Sequence, residues 1–277
     1  MKEALDAASV DQKQPIFIRN ALVAHTIAYI VDRKLGLGLN PNGRKLLKQL
    51  VVKACRGEKV SLSKEVPLVY QGANLTIEVD GQEHIPSSGP TIFIGNHTRG
   101  GPMDSMGQFF EMAKEGYNAR LNVQDEEVRE PFVIMQRGLE KGKLIRYFSG
   151  IFYEIAGRSL NCEIVAIPRY NKEGEIINGQ NLKQNAIQRI VNGGASLWFP
   201  QGRHRDPDDL RFPEIKATGF LKRVSDEDQH IQLVPVRSIP DSQGNIKVIF
   251  GLAVSISEVV KKGGINYFTQ NHIAPLR

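Results

Sequence analysis

The sequence TIFIGNHTRGGPMD at residues 91–104 decides the fold and points to the function. Ile92–Ile94 form a short apolar run that predicts a buried strand, and this strand leads directly into Asn96 and His97. A glycine-rich turn follows, and Asp104 then opens an apolar helical stretch. This order places an imidazole at the carboxyl end of a strand, where open α/β sheets bind their ligands. A histidine there, with a carboxylate a few residues on, is suited to act as a general base that activates a hydroxyl group.

The composition indicates a folded protein that binds an anionic partner. The chain has 277 residues, of which 41% are hydrophobic and 24% are charged, so it can bury a full core and does not resemble a disordered chain. Its net charge of +6 and pI near 9.2 suit a phosphorylated substrate, a nucleotide-bearing cofactor, an acidic carrier or a lipid surface. Nucleic acid also fits the charge, but charge alone cannot select it.

The apolar stretches are too short or too interrupted to predict a membrane span. A spanning helix needs about 18 uninterrupted apolar residues. The longest candidate, residues 16–31, is broken by Arg19, Asn20 and His25. The first residues also lack the basic and apolar segments of a secretory signal. We therefore expect a cytoplasmic protein, with a peripheral position on the inner face of a membrane as the alternative.

The periodicity of apolar residues predicts helices first and an α/β sheet afterwards. Two helical patterns cover residues 15–60, with Gly57 as the residue after the second helix. From residue 74 the pattern changes to short strands alternating with helices. The strands are predicted at residues 75–79, 92–94, 162–167, 195–199, 231–236 and 246–252, and the helices at 104–116, 139–155 and 182–191. This alternation predicts the α/β class, with a mixed, mostly parallel central sheet flanked by helices and preceded by a small N-terminal helical subdomain. We place that subdomain at residues 1–65 and the α/β catalytic domain at residues 66–277.

Four motifs lie where predicted strands end. They lie at residues 96–104, 167–172, 198–206 and 233–236. If the strands are parallel, their carboxyl ends gather along one edge of the sheet and form one cleft. The second and third motifs supply arginines, whose planar fork binds two phosphate oxygens at once. A general base beside several cations would suit transfer to a hydroxyl of an anionic substrate.

The order of these motifs resembles the glycerolipid acyltransferase family, which includes the glycerol-3-phosphate and 1-acylglycerol-3-phosphate acyltransferases. The resemblance covers about residues 74–237. It rests on Ile85–Pro90, Asn96-His97 with a downstream acid, the FPQGR sequence at residues 199–203 and Val234–Val236. Gly202–Pro207 is also similar to the soluble plastid-type glycerol-3-phosphate acyltransferases, which likewise carry a helical domain before an α/β catalytic domain.

The resemblance implies roles for individual residues. His97 matches the histidine that deprotonates the acceptor hydroxyl for direct attack on an acyl thioester, and Asp104 matches the acid that orients this histidine. Arg203 matches the phosphate-binding arginine. The other residues expected to bind substrate are Arg169, Lys172, Gln201, Gly202 and Arg205. The acyl donor would be acyl-CoA or acyl-carrier protein, the acceptor a phosphorylated glycerol or lysophospholipid, and no metal, other cofactor or nucleic acid would be needed.

Two departures from the family pattern bear on the site. Six residues separate His97 from Asp104, whereas the family usually has four. The Gly100-Gly101-Pro102 segment could absorb the extra two as a bulged turn, because glycine permits backbone conformations that other residues avoid. Gln201 stands where the family often has glutamate, so a neutral amide replaces a charge.

Several alternatives stay open at the level of sequence. Asp104 could cap the following helix, and the arginines at 203 and 205 could pair with nearby aspartates on the surface. His204, Asp206 and Asp208, together with His97 and Asp104, could hold a metal, although none has a recognised spacing. Residues 141–155 form a basic amphipathic pattern that suits either a membrane surface or packing on the sheet. The chain could also acylate a different alcohol or a glycolipid, or be a catalytically silent lipid- or acyl-carrier-binding protein.

Overall fold

A computed structural model describes twelve segments of the chain. They are residues 21–35, 39–58, 60–97, 102–121, 131–136, 162–165, 169–170, 176–178, 180–201, 208–211, 214–243 and 245–277.

The first described elements are three helices: α1 (Ala21–Leu35), α2 (Pro41–Cys55) and α3 (Leu62–Ala73). Asn40 caps α2 by accepting a hydrogen bond from the Gly43 N–H at 2.8 Å. Gly57 follows α2 with a left-handed φ of 77°, as the sequence predicts for a residue just after a helix. The predicted helices are therefore confirmed from residue 21 onward.

The remaining described elements alternate between strands and helices. The strands are β1 (Ile77–Asp80), β2 (Thr91–Gly95), β3 (Phe132–Gln136), β4 (Cys162–Val165), β5 (Arg169–Tyr170), β6 (Ile176–Asn178), β7 (Ala195–Trp198), β8 (Gln232–Pro240), β9 (Ile246–Phe250) and β10 (Val254–Ser255). The helices are α4 (Pro102–Asn118), α5 (Gln180–Val191), α6 (Glu214–Glu227), α7 (Ile256–Lys262) and α8 (Gly264–Phe268). Single turns of 3₁₀-helix at Gln82–His84 and π-helix at Thr269–Ile273 complete them.

The main sheet has the strand order β1-β9-β8-β2-β7-β3-β4, with β10 paired to β8. Strand β2 lies at its centre, parallel to β8 on one side and to β7 on the other. The next neighbours, β3 and β4, are parallel to β7 as well. Only the β8–β9 and β8–β10 pairs of this sheet are antiparallel within the described residues. The predicted α/β fold with a mixed, mostly parallel sheet is therefore confirmed.

Helices cover both faces of the sheet, which explains why β2 is buried along its whole length. Phe93 points into the core formed with α2, α3 and α4. Ile92 and Ile94 point into the opposite core, formed with α5, α6, α7 and α8. A strand buried on both faces reads as a continuous apolar run, and this run identified β2 in the sequence.

Some elements were not predicted. The sequence interpretation missed four helices, α3, α6, α7 and α8, and four strands, β3, β5, β6 and β10. Helix α3 contains Pro67, a residue that normally ends a helix because it lacks a backbone N–H. The helix predicted at 139–155 lies outside the described residues. The domain boundary placed at residue 65 falls inside α3, and Val69, Tyr70 and Ala73 of α3 share one core with the sheet; the domain division stays a prediction.

Among the described segments, no helix is both long enough and apolar enough to cross a membrane.

Candidate functional site

Three of the four motifs meet at one edge of the sheet. Gly95, the last residue of β2, lies opposite Val236 of β8. Ile94 lies opposite Trp198, the last residue of β7. The residues that follow these positions, Asn96-His97 and Phe199–Gln201, therefore emerge side by side at the carboxyl edge. This is the position where ligands bind in open α/β sheets.

A hydrogen-bonded side chain joins the histidine turn to the turn after β7. The backbone N–H of His97 donates to Gln201 Oε1, across 104 residues of sequence. The other end of the same amide, Gln201 Nε2, donates to the Asp209 carbonyl oxygen at 2.6 Å. Gln201 is only 5% exposed, so water does not readily replace these partners. Both ends of the amide thus bind protein backbone.

The His97 ring packs against Phe199. The two ring centroids are 5.4 Å apart and the planes are inclined by 49°. His97 is partly exposed, whereas the neighbouring Asn96 is 2% exposed. The imidazole therefore sits at the boundary between the packed sheet and the solvent, where a substrate could reach it.

Directly after strand β2, the side chain of Asn96 binds the backbone of β8. Its Oδ1 accepts from the Ser238 N–H at 2.8 Å, and its Nδ2 donates to the Ser238 carbonyl at 3.1 Å. Gln108 of α4 donates from Nε2 to the same Asn96 Oδ1 at 3.0 Å. Sequence reasoning missed Gln108. The available signal was a polar residue four positions before Met112 on the buried face of a helix, where an apolar residue is usual.

Arg237 is a second residue that the sequence interpretation missed. It is 8% exposed and immediately follows the apolar run of β8. Its Nη1 donates to the carbonyls of Ala274 and Leu276 at 2.8 and 3.0 Å, and its Nη2 binds Asp208 Oδ1 at 2.9 Å. One guanidinium thus holds the C-terminal segment and the residue at the start of the 208–211 segment. A charged residue directly after the apolar run Leu233–Val236 was the signal in the sequence.

We expect Arg237→Met to lower the free energy of unfolding by about 2–3 kcal/mol, because the carbonyls of Ala274 and Leu276 are left without their charged donor. Urea denaturation would measure the change. The matched control is Arg211→Met, since Arg211 binds the neighbouring Asp209 but is 80% exposed. An exposed pair of this kind contributes about 0–1 kcal/mol. Equal losses in the two variants would contradict the role given to Arg237.

Helix α4 also carries a buried ion pair. Glu111 Oε2 lies 2.5 Å from Lys114 Nζ, which lies 3.0 Å from Glu115 Oε1. Burial raises the pKa of the Glu111 carboxyl, and Lys114 partly offsets this. Burial alone would lower the pKa of Lys114, but its bonds to Glu111 and Glu115 outweigh burial and raise that pKa. Because each charge has a partner on the same helix, we assign this cluster to the stability of α4.

For the other predicted site residues, the structure describes the backbone of two and leaves the rest outside the described segments. Asp104 lies in the first turn of α4 and Arg169 begins β5, but their side chains are not among those described. Lys172, Gly202, Arg203 and Arg205 lie outside the described residues. The pairing of Asp104 with His97 and the phosphate-binding cluster therefore stay predictions.

The residues of the alternative metal site are also described only in part. His204 and Asp206 lie outside the described residues, and Asp208 is bound to Arg237. The part of the chain that the structure describes contains no group of three His, Cys, Asp or Glu residues placed to hold a metal ion.

Comparison with known proteins finds likeness in structure but not in sequence. No protein-family model matches the chain, and no curated protein matches it by sequence. Among solved structures, the chain is similar to the crystal structure of the 1-acyl-sn-glycerophosphate (LPA) acyltransferase PlsC from Thermotoga maritima. The alignment covers 88% of this chain and 95% of that one, at 15% identity and a TM-score of 0.41. With 15% identity and a TM-score of 0.41, this likeness supports no conclusion about activity.

Proposed function

We propose that this protein is an O-acyltransferase. It moves a fatty acyl group from an acyl-CoA or acyl-carrier-protein thioester to a hydroxyl of glycerol 3-phosphate or of a lysophospholipid. The proposal rests on the motif order in the sequence and on the way two of those motifs meet in the fold.

The observation that carries it is the hydrogen bond between the His97 backbone and Gln201. The motif order alone would be compatible with two unrelated turns at distant parts of the surface. Instead, Asn96-His97 and Phe199–Gln201 adjoin at the carboxyl edge, joined by the Gln201 amide and by the contact of the His97 and Phe199 rings. This arrangement supports a shared site in which the histidine acts beside the residues that follow Gln201.

The proposed reaction needs a proton transfer to His97, a displacement and a proton transfer from His97. His97 removes the proton of the acceptor hydroxyl, and the hydroxyl oxygen attacks the thioester carbonyl carbon. The carbon–sulfur bond then breaks, the new ester bond remains, and the thiol leaves with the proton that His97 gives back. Asp104 orients the imidazole and stabilises its protonated form, while backbone amides near His97 stabilise the developing oxyanion.

Binding of the acceptor is assigned to the basic residues after the later strands. Arg203 binds the phosphate, and Arg205, Arg169 and Lys172 contribute positive charge. The net charge of +6 supports an anionic acceptor and an acidic acyl carrier.

The experiment that tests the function is a thiol-release assay on the purified full-length chain. Acyl-CoA and acyl-carrier protein are offered in turn as donors, each with glycerol 3-phosphate, lysophosphatidate or no acceptor. Acceptor-dependent thiol release is expected. Tight binding of the donor without thiol release, with any acceptor, would indicate a silent binding protein and would overturn the proposal.

We expect Arg203→Ala to raise the KM for the phosphorylated acceptor by about 10- to 100-fold, since a charge-assisted bond to phosphate contributes about 1.5–3 kcal/mol. The kcat should change little, because the phosphate is bound equally in the ground and transition states. Steady-state kinetics with varied acceptor would measure both constants.

The matched control is Arg223→Ala, which removes one positive charge from an exposed position on α6. This variant should keep the wild-type KM. If Arg203→Ala kept it as well, the phosphate-binding role of Arg203 would be wrong.

A further inference from the structure

Just after strand β2, a side chain binds β8 at the place where a further backbone-to-backbone bond between the two strands would be expected. Strand β2 pairs with β8 in a parallel register that sets Gly95 opposite Val236, so that continuation would set residue 97 opposite Ser238. The Asn96 side chain takes up both the N–H and the carbonyl of Ser238. The odd-numbered residues of β2 face β7, as the bond from the Thr91 N–H to the Gly194 carbonyl shows. The N–H of residue 97 therefore lies on the β7 side, where it donates to Gln201.

The orientation of the Asn96 amide follows from its partners. Oδ1 must face the Ser238 N–H, because Nδ2 would place a donor against a donor there. Gln108 then binds Asn96 Oδ1 from the side, and its Nε2 also lies 3.4 Å from the Val236 carbonyl oxygen. Both neighbours of Nε2 are acceptors, so the Gln108 amide has one orientation compatible with them.

Gln108 also reaches His97 by a packing route. A Cβ atom added at Gly95 would lie 2.6 Å from Gln108 Nε2 and 3.0 Å from Phe199 Cε1. The glutamine amide and the Phe199 ring therefore both pack against the Gly95 backbone. Phe199 in turn packs on the His97 ring. Two chains of contacts thus connect Gln108 with His97, one through the Asn96 amide and one through Gly95 and Phe199.

We propose that Gln108 is a positioning residue that sets the orientation of His97 through Asn96. It is fully buried, and no ligand could contact it without rearrangement of the core. The proposal rests on the function proposed above for its kinetic consequences, and on the geometry alone for the position of the ring. It also gives a reason for a buried glutamine on a helix face that otherwise carries Met112 and Ala113 in the core.

Two substitutions test the kinetic consequence. Gln108→Met keeps the length of the side chain but removes both N–H donors, and Gln108→Glu sets an acceptor against two acceptors. We expect kcat to fall about 10-fold in Gln108→Met and further in Gln108→Glu, with the KM for the acceptor within about twofold of wild type, since a misplaced base affects the transition state rather than binding. The Met variant decides the question if the Glu variant does not fold.

Met112→Ala is the matched control. Met112 is equally buried on the next turn of α4, and its truncation leaves a cavity without touching the Asn96 amide. This variant should lower the melting temperature while keeping kcat within about twofold. A kcat loss in Met112→Ala equal to that in Gln108→Met would reduce Gln108 to a structural residue, and an unchanged kcat in both Gln108 variants would overturn the proposal.

A second measurement needs no substrate and separates this proposal from the proposed function. Long-range ¹H–¹⁵N spectra report the ring nitrogens of each histidine, and loss of one signal in His97→Gln assigns His97. In Gln108→Met the His97 ring signals should shift, while those of the exposed His230 stay in place. Unchanged His97 signals would contradict positioning by Gln108 whether or not the protein transfers acyl groups. Shifted signals without any acyl transfer would leave positioning intact and overturn the proposed function alone.

Discussion

His97→Ala is expected to lower kcat for acyl transfer by about 10²- to 10⁴-fold, the usual contribution of a general base. The fold should survive, because the hydrogen bond that holds this turn comes from the backbone N–H of residue 97 and not from its ring. The side chain is partly exposed, so its truncation leaves at most a shallow gap beside Phe199. Steady-state kinetics and a thermal melt on the same preparation would measure the two effects.

The control for this variant is His230→Ala. His230 is exposed before strand β8, and its contact with Asp228 is made by its backbone N–H at 2.8 Å. Its replacement should leave both kcat and the melting temperature unchanged. If His97→Ala kept more than about a tenth of wild-type kcat, a smaller loss than any general base gives, His97 would not be the base.

Gln201→Leu is expected to lower the free energy of unfolding by about 2–4 kcal/mol, because two partly buried backbone groups lose their partners at about 1–3 kcal/mol each. Those groups are the His97 N–H and the Asp209 carbonyl. The kcat should also fall by at least about 10-fold, because the turn that carries the imidazole is no longer held. Urea denaturation and steady-state kinetics would measure the two losses.

Gln201→Glu separates the two bonds. A carboxylate can still accept from the His97 N–H but cannot donate to the Asp209 carbonyl. Its kcat should therefore lie between those of wild type and Gln201→Leu. Gln188→Leu on the exposed face of α5 serves as the control for loss of an amide, and should change neither stability nor kcat. A Gln201→Leu protein with wild-type kcat would show that this amide does not position His97.

The sequence carried enough information for the fold class because the central strands are short and apolar throughout. Strand β2 is fully buried along Thr91–Gly95, and such a run has few interpretations other than a central strand between two layers of helices. Helix α6 was missed although Ala217, Phe220, Leu221 and Val224 have helical spacing and are all buried. Helix α3 was missed because Pro67 obscured its pattern. The order of strands in the sheet depends on contacts between distant residues, which local periodicity does not contain.

In the candidate site, too, local sequence identifies some residues, whereas contacts between distant residues determine the position of others. His97 could be identified from its own neighbours, since a histidine after an apolar strand needs only local sequence to be recognised. The position of Gln201 depends on the pairing of β2 with β7, and that of Gln108 on Asn96 and Ser238, which are 142 residues apart. Gln201 was expected to bind the acceptor. In the described residues its amide binds the backbone of His97 and Asp209 and so holds the turn that carries His97. Its assignment to substrate binding stays a prediction.

The most direct test of the proposed acyl transfer is to follow both products of one reaction. Purified protein is mixed with an acyl thioester donor and a phosphorylated glycerol acceptor, free thiol is measured by colour reaction, and the acylated acceptor by mass spectrometry. We expect one acylated acceptor for each thiol released, and both products to form at least about 100-fold more slowly with His97→Ala. Thiol release that is independent of the acceptor, or no acylated acceptor at all with either donor, would contradict the account.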